Sequence, residues 1–142
     1  MKENNAEKNI IKIFKVVLIG DSGVGKTSII TRFVRDEFIS DEVPTIFASY
    51  SEKNIILGDN GEKIKFHIWD TAGQEKYRSI GKIFYKDANA PVLVYDITNK
   101  KSFDEIKNFW YDEIKKYIKE NTNKFEFIFI IIFYNYSHCI SS

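Results

Sequence analysis

Short apolar runs alternate with polar stretches along this chain, and the period of the apolar residues changes from one run to the next. Ile10 to Ile19 is almost continuously apolar, which predicts a buried first strand. Thr27 to Val34 changes to helical spacing, and Asp36 to Thr45 is polar with Pro44, hence a loop. Ile46 to Leu57 reads as a strand that runs into Gly58, Asp59, Asn60 and Gly61, where Asn-Gly signals a hairpin. Its partner should be Lys63 to Trp69, since Ile64, Phe66 and Ile68 alternate there with Lys63, Lys65 and His67. Pro91 to Tyr95 is a short apolar run of the kind found in a covered parallel strand. Ser102 and Glu105 have capping-box spacing. Behind them Phe103, Ile106, Phe109, Trp110, Ile114, Tyr117 and Ile118 predict a helix to about Lys119. Strands alternating with helices predict an α/β fold, a mostly parallel sheet with helices on both faces.

The turn after the first strand carries the first chemistry. Gly20, Asp21, Ser22, Gly23, Val24, Gly25, Lys26 and Thr27 spell G-x-x-x-x-G-K-[ST] between a strand and a helix, the order of a phosphate-binding loop. The glycines let the backbone curl so that successive N–H groups face one anion-sized hollow, and the helix adds its positive end. Lys26 would meet the β- and γ-phosphates, and the Thr27 hydroxyl would ligate Mg²⁺. Asp70, Thr71, Ala72, Gly73, Gln74 and Glu75 follow the second hairpin strand. Asp70 could hold Mg²⁺ through water, the Gly73 N–H could meet a terminal phosphate, and Gln74 could orient an attacking water. Alone this is a polar turn; with the phosphate loop it points to hydrolysis.

Composition narrows the class. With 142 residues the chain suits one domain, and 21 Lys+Arg against 20 Asp+Glu give no sign of a nucleic-acid partner. Met1 to Asn9 is polar, without the apolar core of a secretory signal, and is expected to be flexible. One cysteine, Cys139, excludes an internal disulfide and fits a reducing, cytoplasmic setting. His67 reads as a strand residue rather than a ligand, Trp69, Trp110 and most of the phenylalanines as core, and Lys100-Lys101 as a solvated turn.

Further segments recur in a known order: Lys65 to Asp70, Lys76 to Ile80, Phe84 to Ala88, and Tyr95 to Asn99. With the phosphate loop and Asp70 to Glu75, they make the chain resemble a Ras-superfamily small GTPase of the Rab branch, over about residues 13–119. The resemblance implies a P-loop GTPase that binds GTP or GDP with Mg²⁺ and acts in vesicle traffic. It implies that Ser22 to Ser28 line the phosphates and that Phe38 stacks on the guanine. Thr27 and Thr45 would ligate the metal, Asp70 through water. Residues 36–50 and 71–85 would be the switches read by an exchange factor, by effectors, and by an activating protein that supplies an arginine. The implied place is the cytosolic face of endosomal or other vesicle membranes. One departure sits in the first switch, where Ile46-Phe47-Ala48-Ser49-Tyr50 has Phe47 in place of the usual glycine.

After Lys119 the pattern breaks. The family's Asn-Lys-x-Asp is represented by Asn135 alone, with Tyr136 and His138 in the other places, and its Ser-Ala-Lys is absent. Phe125 to His138 reads as a fifth strand with a diverged tail, as an apolar anchor too short to span a bilayer, or as aberrant translated sequence. Residues 10–134 would then be an incomplete small-GTPase domain, truncated after its fifth strand, and 135–142 its aberrant tail. Marginal stability and weakened guanine selectivity are expected. Cys139-Ile140-Ser141-Ser142 has the C-x-x-x form of a prenylation signal but a poor fit at Ser141, so lipidation and chance both stand, and membrane attachment depends on the former. Two rival functions remain: a truncated, non-catalytic isoform, and a P-loop ATPase or small-molecule kinase.

Overall fold

The computed structural model describes residues 11–58, 61–120 and 129–133. The predicted Asp59-Asn60 turn, the segment 1–9, Asn135, and the tail with Cys139 lie outside the described residues. The elements are β1 (Ile11–Ile19), α1 (Lys26–Arg35), β2 (Ala48–Leu57), β3 (Glu62–Thr71), α2 (Arg78–Tyr85), β4 (Ala90–Asp96), α3 (Lys100–Glu105), α4 (Tyr111–Glu120) and β5 (Phe129–Phe133). A single 3₁₀ turn, Glu75–Tyr77, leads into α2, and a π-helical stretch, Ile106–Trp110, joins α3 to α4.

The sheet order is β2-β3-β1-β4-β5. β2 and β3 pair antiparallel, with Tyr50 opposite Trp69, and β1 pairs parallel with β3 and β4. The predicted hairpin and parallel strands are therefore present. Of the three readings of the C-terminal run, the strand holds for Phe129–Phe133, which pairs parallel with β4.

Alternation along the strands sends successive side chains to opposite faces, each covered by helices. Val17, Ile19 and Leu93 pack with Tyr85, Ala88, Ile106, Trp110 and Ile114 from the α2 and α3–α4 side. Leu18, Ile68, Val92 and Val94 pack with Val24 and Ile30 on the α1 side. Helices on both faces were predicted, and the sheet has them.

Four expectations are corrected. Ser102 is no N-cap: the helix starts at Lys100 with Asn99 before it, so Lys100-Lys101 is helical rather than a turn. The Ser102 hydroxyl accepts the Asp96 N–H at 3.1 Å and lies 2.7 Å from the Asn99 carbonyl, fastening the end of β4 to the helix start. No phenylalanine with a described side chain is fully buried: Phe14, Phe33, Phe38, Phe47 and Phe103 are exposed, and Phe66, Phe84 and Phe109 pack half-buried against the core rather than within it. Branched Val, Ile and Leu, with Tyr85 and Trp110, fill the tight space between sheet and helices, and the phenylalanine rings sit at its margins. Trp69 is half-buried between Tyr50 and Phe84, at 5.0 Å from each ring, whereas Trp110 is buried as expected.

Glu113 of α4 ties that helix to α2. Its carboxylate lies 2.6 Å from Lys116 Nζ and 3.1 Å from Lys82 Nζ, at a buried position. Burial pushes its carboxyl up, but the Lys116 and Lys82 ammonium groups overcome this and hold it below the ordinary value. A lowered carboxyl pKa adds stability above the ordinary carboxylate range, and that stability is lost as pH falls through the folded value. Glu113→Gln is expected to cost about 1–2 kcal/mol at pH 7. In urea titrations the gap from the parent should close below the ordinary carboxylate pKa.

Candidate functional site

The Gly20–Gly25 loop leaves β1 and ends on the first turn of α1. Gly20 has φ +154°, and a Cβ there would stand 2.2 Å from the Val94 carbonyl oxygen, so only glycine fits. The loop can therefore lie directly against the end of β4. Gly25 takes the left-handed conformation ahead of α1, and the Ile29 N–H closes the first helical turn on its carbonyl at 2.9 Å.

Lys26 is buried, and its Nζ donates to the carbonyls of Gly20 at 2.8 Å and Asp21 at 2.7 Å, folding back along its own loop. Burial lowers its pKa to about 8, against the opposing pull of the Asp70 and Asp21 carboxylates. The ammonium is thus held in a poorly solvated place at the edge of the cleft. That is where an anion gains most from it.

Thr27, Thr45 and Asp70 come from α1, the loop before β2, and the end of β3, yet their oxygens converge. Asp70 Oδ2 accepts from Thr27 Oγ1 at 2.5 Å and from Thr45 Oγ1 at 3.1 Å, and the two hydroxyls are 3.2 Å apart. Asp70 Oδ1 is buried with no hydrogen-bond partner among the described residues. Burial pushes the Asp70 carboxyl up, offset in part by Thr27, Lys26 and Thr45. Two hydroxyls and a carboxylate with a free buried oxygen form an all-oxygen donor set, which suits a hard cation of the Mg²⁺ type.

Gly73 closes the site from the β3 side. A Cβ on it would fall 2.2 Å from Asp21 C and 2.3 Å from Ser22 N, so its backbone lies against the phosphate loop. The Ala72 N–H donates to the Phe47 carbonyl at 2.9 Å, joining the segments that carry Thr45 and Gln74.

The cleft so formed has a volume of about 210 Å³. Of the predicted residues, Ser22, Gly23, Gly25, Lys26, Thr27, Ser28, Phe38, Thr45 and Gly73 line it. Asp70 meets it through the two threonine hydroxyls. Gly20, Val24 and Gln74 are not on its wall; Gln74 is half-buried at the start of the 3₁₀ turn. Asp21 is off the wall too, because its carboxylate turns outward to Arg78 and Trp110.

Sequence reading missed Glu42 and Thr71. Glu42 accepts from Thr31 Oγ1 at 3.0 Å and Ser28 Oγ at 3.3 Å, pinning the loop of Thr45 to α1. Thr71 Oγ1 donates to the Leu18 carbonyl at 2.7 Å and fixes the end of β3 against β1. A lone Glu in a polar loop gives no signal in sequence, and the T in D-T-A-G is silent until its partner strand is known.

The Ras family model matches residues 15–131 of this sequence. The chain belongs to the Ras family. Ras-related protein RABA6a of Arabidopsis thaliana is 43% identical over 122 residues, covering 86% of this chain and 51% of that protein. GTP-binding protein ypt3 of Schizosaccharomyces pombe is 47% identical over 109 residues, 77% of this chain and 50% of that one. Ras-related protein Rab-8A of Bos taurus is 46% identical over 112 residues, 79% and 53% respectively. These relatives place this Ras-family chain on the Rab branch. It spans about half the length of the curated relatives it matches. Among the described residues, no helix is long and apolar enough to cross a membrane.

Proposed function

We propose that this Rab-branch chain is a guanine-nucleotide switch that binds GTP and GDP and hydrolyses GTP. The observation that carries the reading is the convergence of Thr27, Thr45 and Asp70 oxygens within 3.2 Å beside the Gly20–Gly25 loop and Lys26. Loop amides and Lys26 would hold the phosphates, Phe38 would lie against the base, and the Gly73 N–H would meet the terminal phosphate. Mg²⁺, held by Thr27, Thr45 and, through water, Asp70, would supply positive charge for the phosphate oxygens. Gln74 would orient water for attack on the γ-phosphorus; the new O–P bond forms as the bond to the β-phosphate oxygen breaks, leaving GDP and inorganic phosphate. Gln74 is half-buried at the start of the 3₁₀ turn beside the cleft, and the role requires its side chain to reach the γ-phosphate from there.

Partners would read the segments 36–50 and 71–85. Ile46 and Phe47 are exposed, and Phe47 packs on Tyr77 at 5.4 Å, so the two segments present one apolar surface. An exchange factor, effectors and an activating protein that donates an arginine are the expected classes, in vesicle traffic at cytosolic membrane faces.

The test is the nucleotide carried by the purified chain, released by denaturation and separated by chromatography. Near-stoichiometric GDP or GTP supports the reading; bound ATP, or an empty protein that also fails to take up added GDP with Mg²⁺, overturns it. Gln74→Leu should then slow single-turnover GTP hydrolysis at least about tenfold and leave GDP affinity within about twofold. Equal loss of both would place Gln74 in binding instead.

A further inference from the structure

Asp21 lies inside the phosphate-loop signature, yet its side chain faces away from the cleft. Its Oδ1 accepts the Trp110 indole Nε1–H at 2.9 Å and an Arg78 Nη2–H at 3.2 Å. The same Arg78 nitrogen donates to Glu105 Oε2 at 2.9 Å. The guanidinium carbon stands 4.3 Å from the centre of the Phe109 ring and 4.9 Å from that of Trp110. Arg78 is the first residue of α2, and Phe109 and Trp110 end the π-helical stretch. One carboxylate of the loop is therefore gripped from two neighbouring elements.

The π-helical stretch explains how. Consecutive residues of an α-helix point well apart, so two neighbouring rings do not serve one partner. A π turn spreads its residues over a wider circle and reduces the angle between successive side chains. Here the two rings are 4.9 Å apart at 78°, and both reach the same guanidinium. Trp110 keeps its ring in the core and still delivers its N–H to the loop.

We propose that Asp21 is a positioning residue of the phosphate loop, held by Arg78 and Trp110, and that this clamp makes nucleotide retention depend on the seating of α2. The inference rests on the proposed nucleotide binding for its consequence, though not for its geometry. On that side the loop also lies close against the Gly73 backbone, and Gly20 lies close against Val94. A guanidinium shared between Asp21 and Glu105 is oriented by stacking, so an ammonium cannot replace it.

The experiment compares the full chain with Trp110→Phe, which keeps an aromatic ring in the core but deletes the N–H along with part of the indole, and with Arg78→Gln and Arg78→Lys, which leave the core intact. Amide hydrogen exchange of residues 21–25 is read against that of β2–β3, and release of fluorescent GDP is timed in the same samples. Each variant should raise loop exchange and speed GDP release about tenfold, a hydrogen bond to a charged group being the interaction lost. β2–β3 exchange should stay unchanged. Arg78→Lys should behave like Arg78→Gln, and the Trp110→Phe/Arg78→Gln double variant should fall short of the product of the singles. Loop exchange within twofold of the parent in all variants overturns the clamp. A parent chain that retains no GDP would instead count against the nucleotide reading, with the exchange comparison still deciding the clamp.

Discussion

Replacing Lys26 by alanine is expected to remove measurable GDP and GTP binding while leaving the chain folded. Lys26 is 6% exposed and its ammonium donates to two loop carbonyls, so it stands ready for phosphate oxygens with little solvation to lose. Losing one buried charge-assisted contact costs about 1.5–3 kcal/mol, and Lys26 would serve two phosphates, so affinity should fall at least roughly a hundredfold. Two smaller effects oppose each other in the folded chain. The carbonyls of Gly20 and Asp21 lose a donor, but a cation whose pKa burial has lowered to about 8 is removed. Melting without nucleotide should thus move by only a few degrees. Thermal melts with and without GDP and Mg²⁺ check this: ligand stabilisation grows with the ratio of free ligand to Kd, so the parent should gain several degrees and the variant none. An unchanged gain in Lys26→Ala would show that the cleft is not the phosphate site.

How much of this arrangement could be read from sequence depends on whether the cause is local. β1, the loop and α1 were legible because glycine spacing, strand period and helix period are properties of neighbouring residues. The hairpin was legible for the same reason, from Asn60-Gly61 and the Lys63 to Trp69 alternation; its register was not read. The start of α3 was misplaced because Ser102 and Glu105 satisfy the capping-box spacing, yet the Ser102 hydroxyl is used by the Asp96 N–H across the turn. The π-helical stretch was invisible. Its apolar spacing at 103, 106, 110, 114 and 117 is ordinary helical periodicity, and only the placement of Phe109 and Trp110 against Arg78 distinguishes it.

Of the residues the structure brings to the cleft, Lys26, Thr27, Asp70 and Gly73 were legible by motif. Asp21 was not, since the signature leaves its position open and its partners are 57 and 89 residues away. Thr45 and Phe38 came from family resemblance alone. Their approach to the cleft depends on Glu42 tying the loop to Ser28 and Thr31, a contact with no sequence signature. Motifs report chemistry that repeats; they are silent on the ties that hold it in place.

Gly73→Ala should be strongly damaging, both for stability and for any step that uses the terminal phosphate. The added carbon would lie 2.2 Å from Asp21 C, 2.3 Å from Ser22 N and 2.5 Å from Asp21 O. All three are backbone atoms, so no flexible side chain can swing aside, and either β3 or the loop must retreat. Overpacking of this kind costs about 1–3 kcal/mol. For a domain of this size that is a melting shift of roughly 3–12 °C. Gly23→Ala is the matched control: a Cβ there meets nothing within 4 Å, and only its φ of +78° is unfavourable. It should cost about 1 kcal/mol. Retreat of residue 73 also carries its N–H away from the loop, so Gly73→Ala should keep GDP better than GTP, a preference Gly23→Ala should not show. Melting curves and paired GDP and GTP affinities on both variants check the two halves together. Equal melting temperatures for the two would mean that the 71–74 segment does not press on the phosphate loop in solution, and the shared surface of residues 36–50 and 71–85 would lose its anchor.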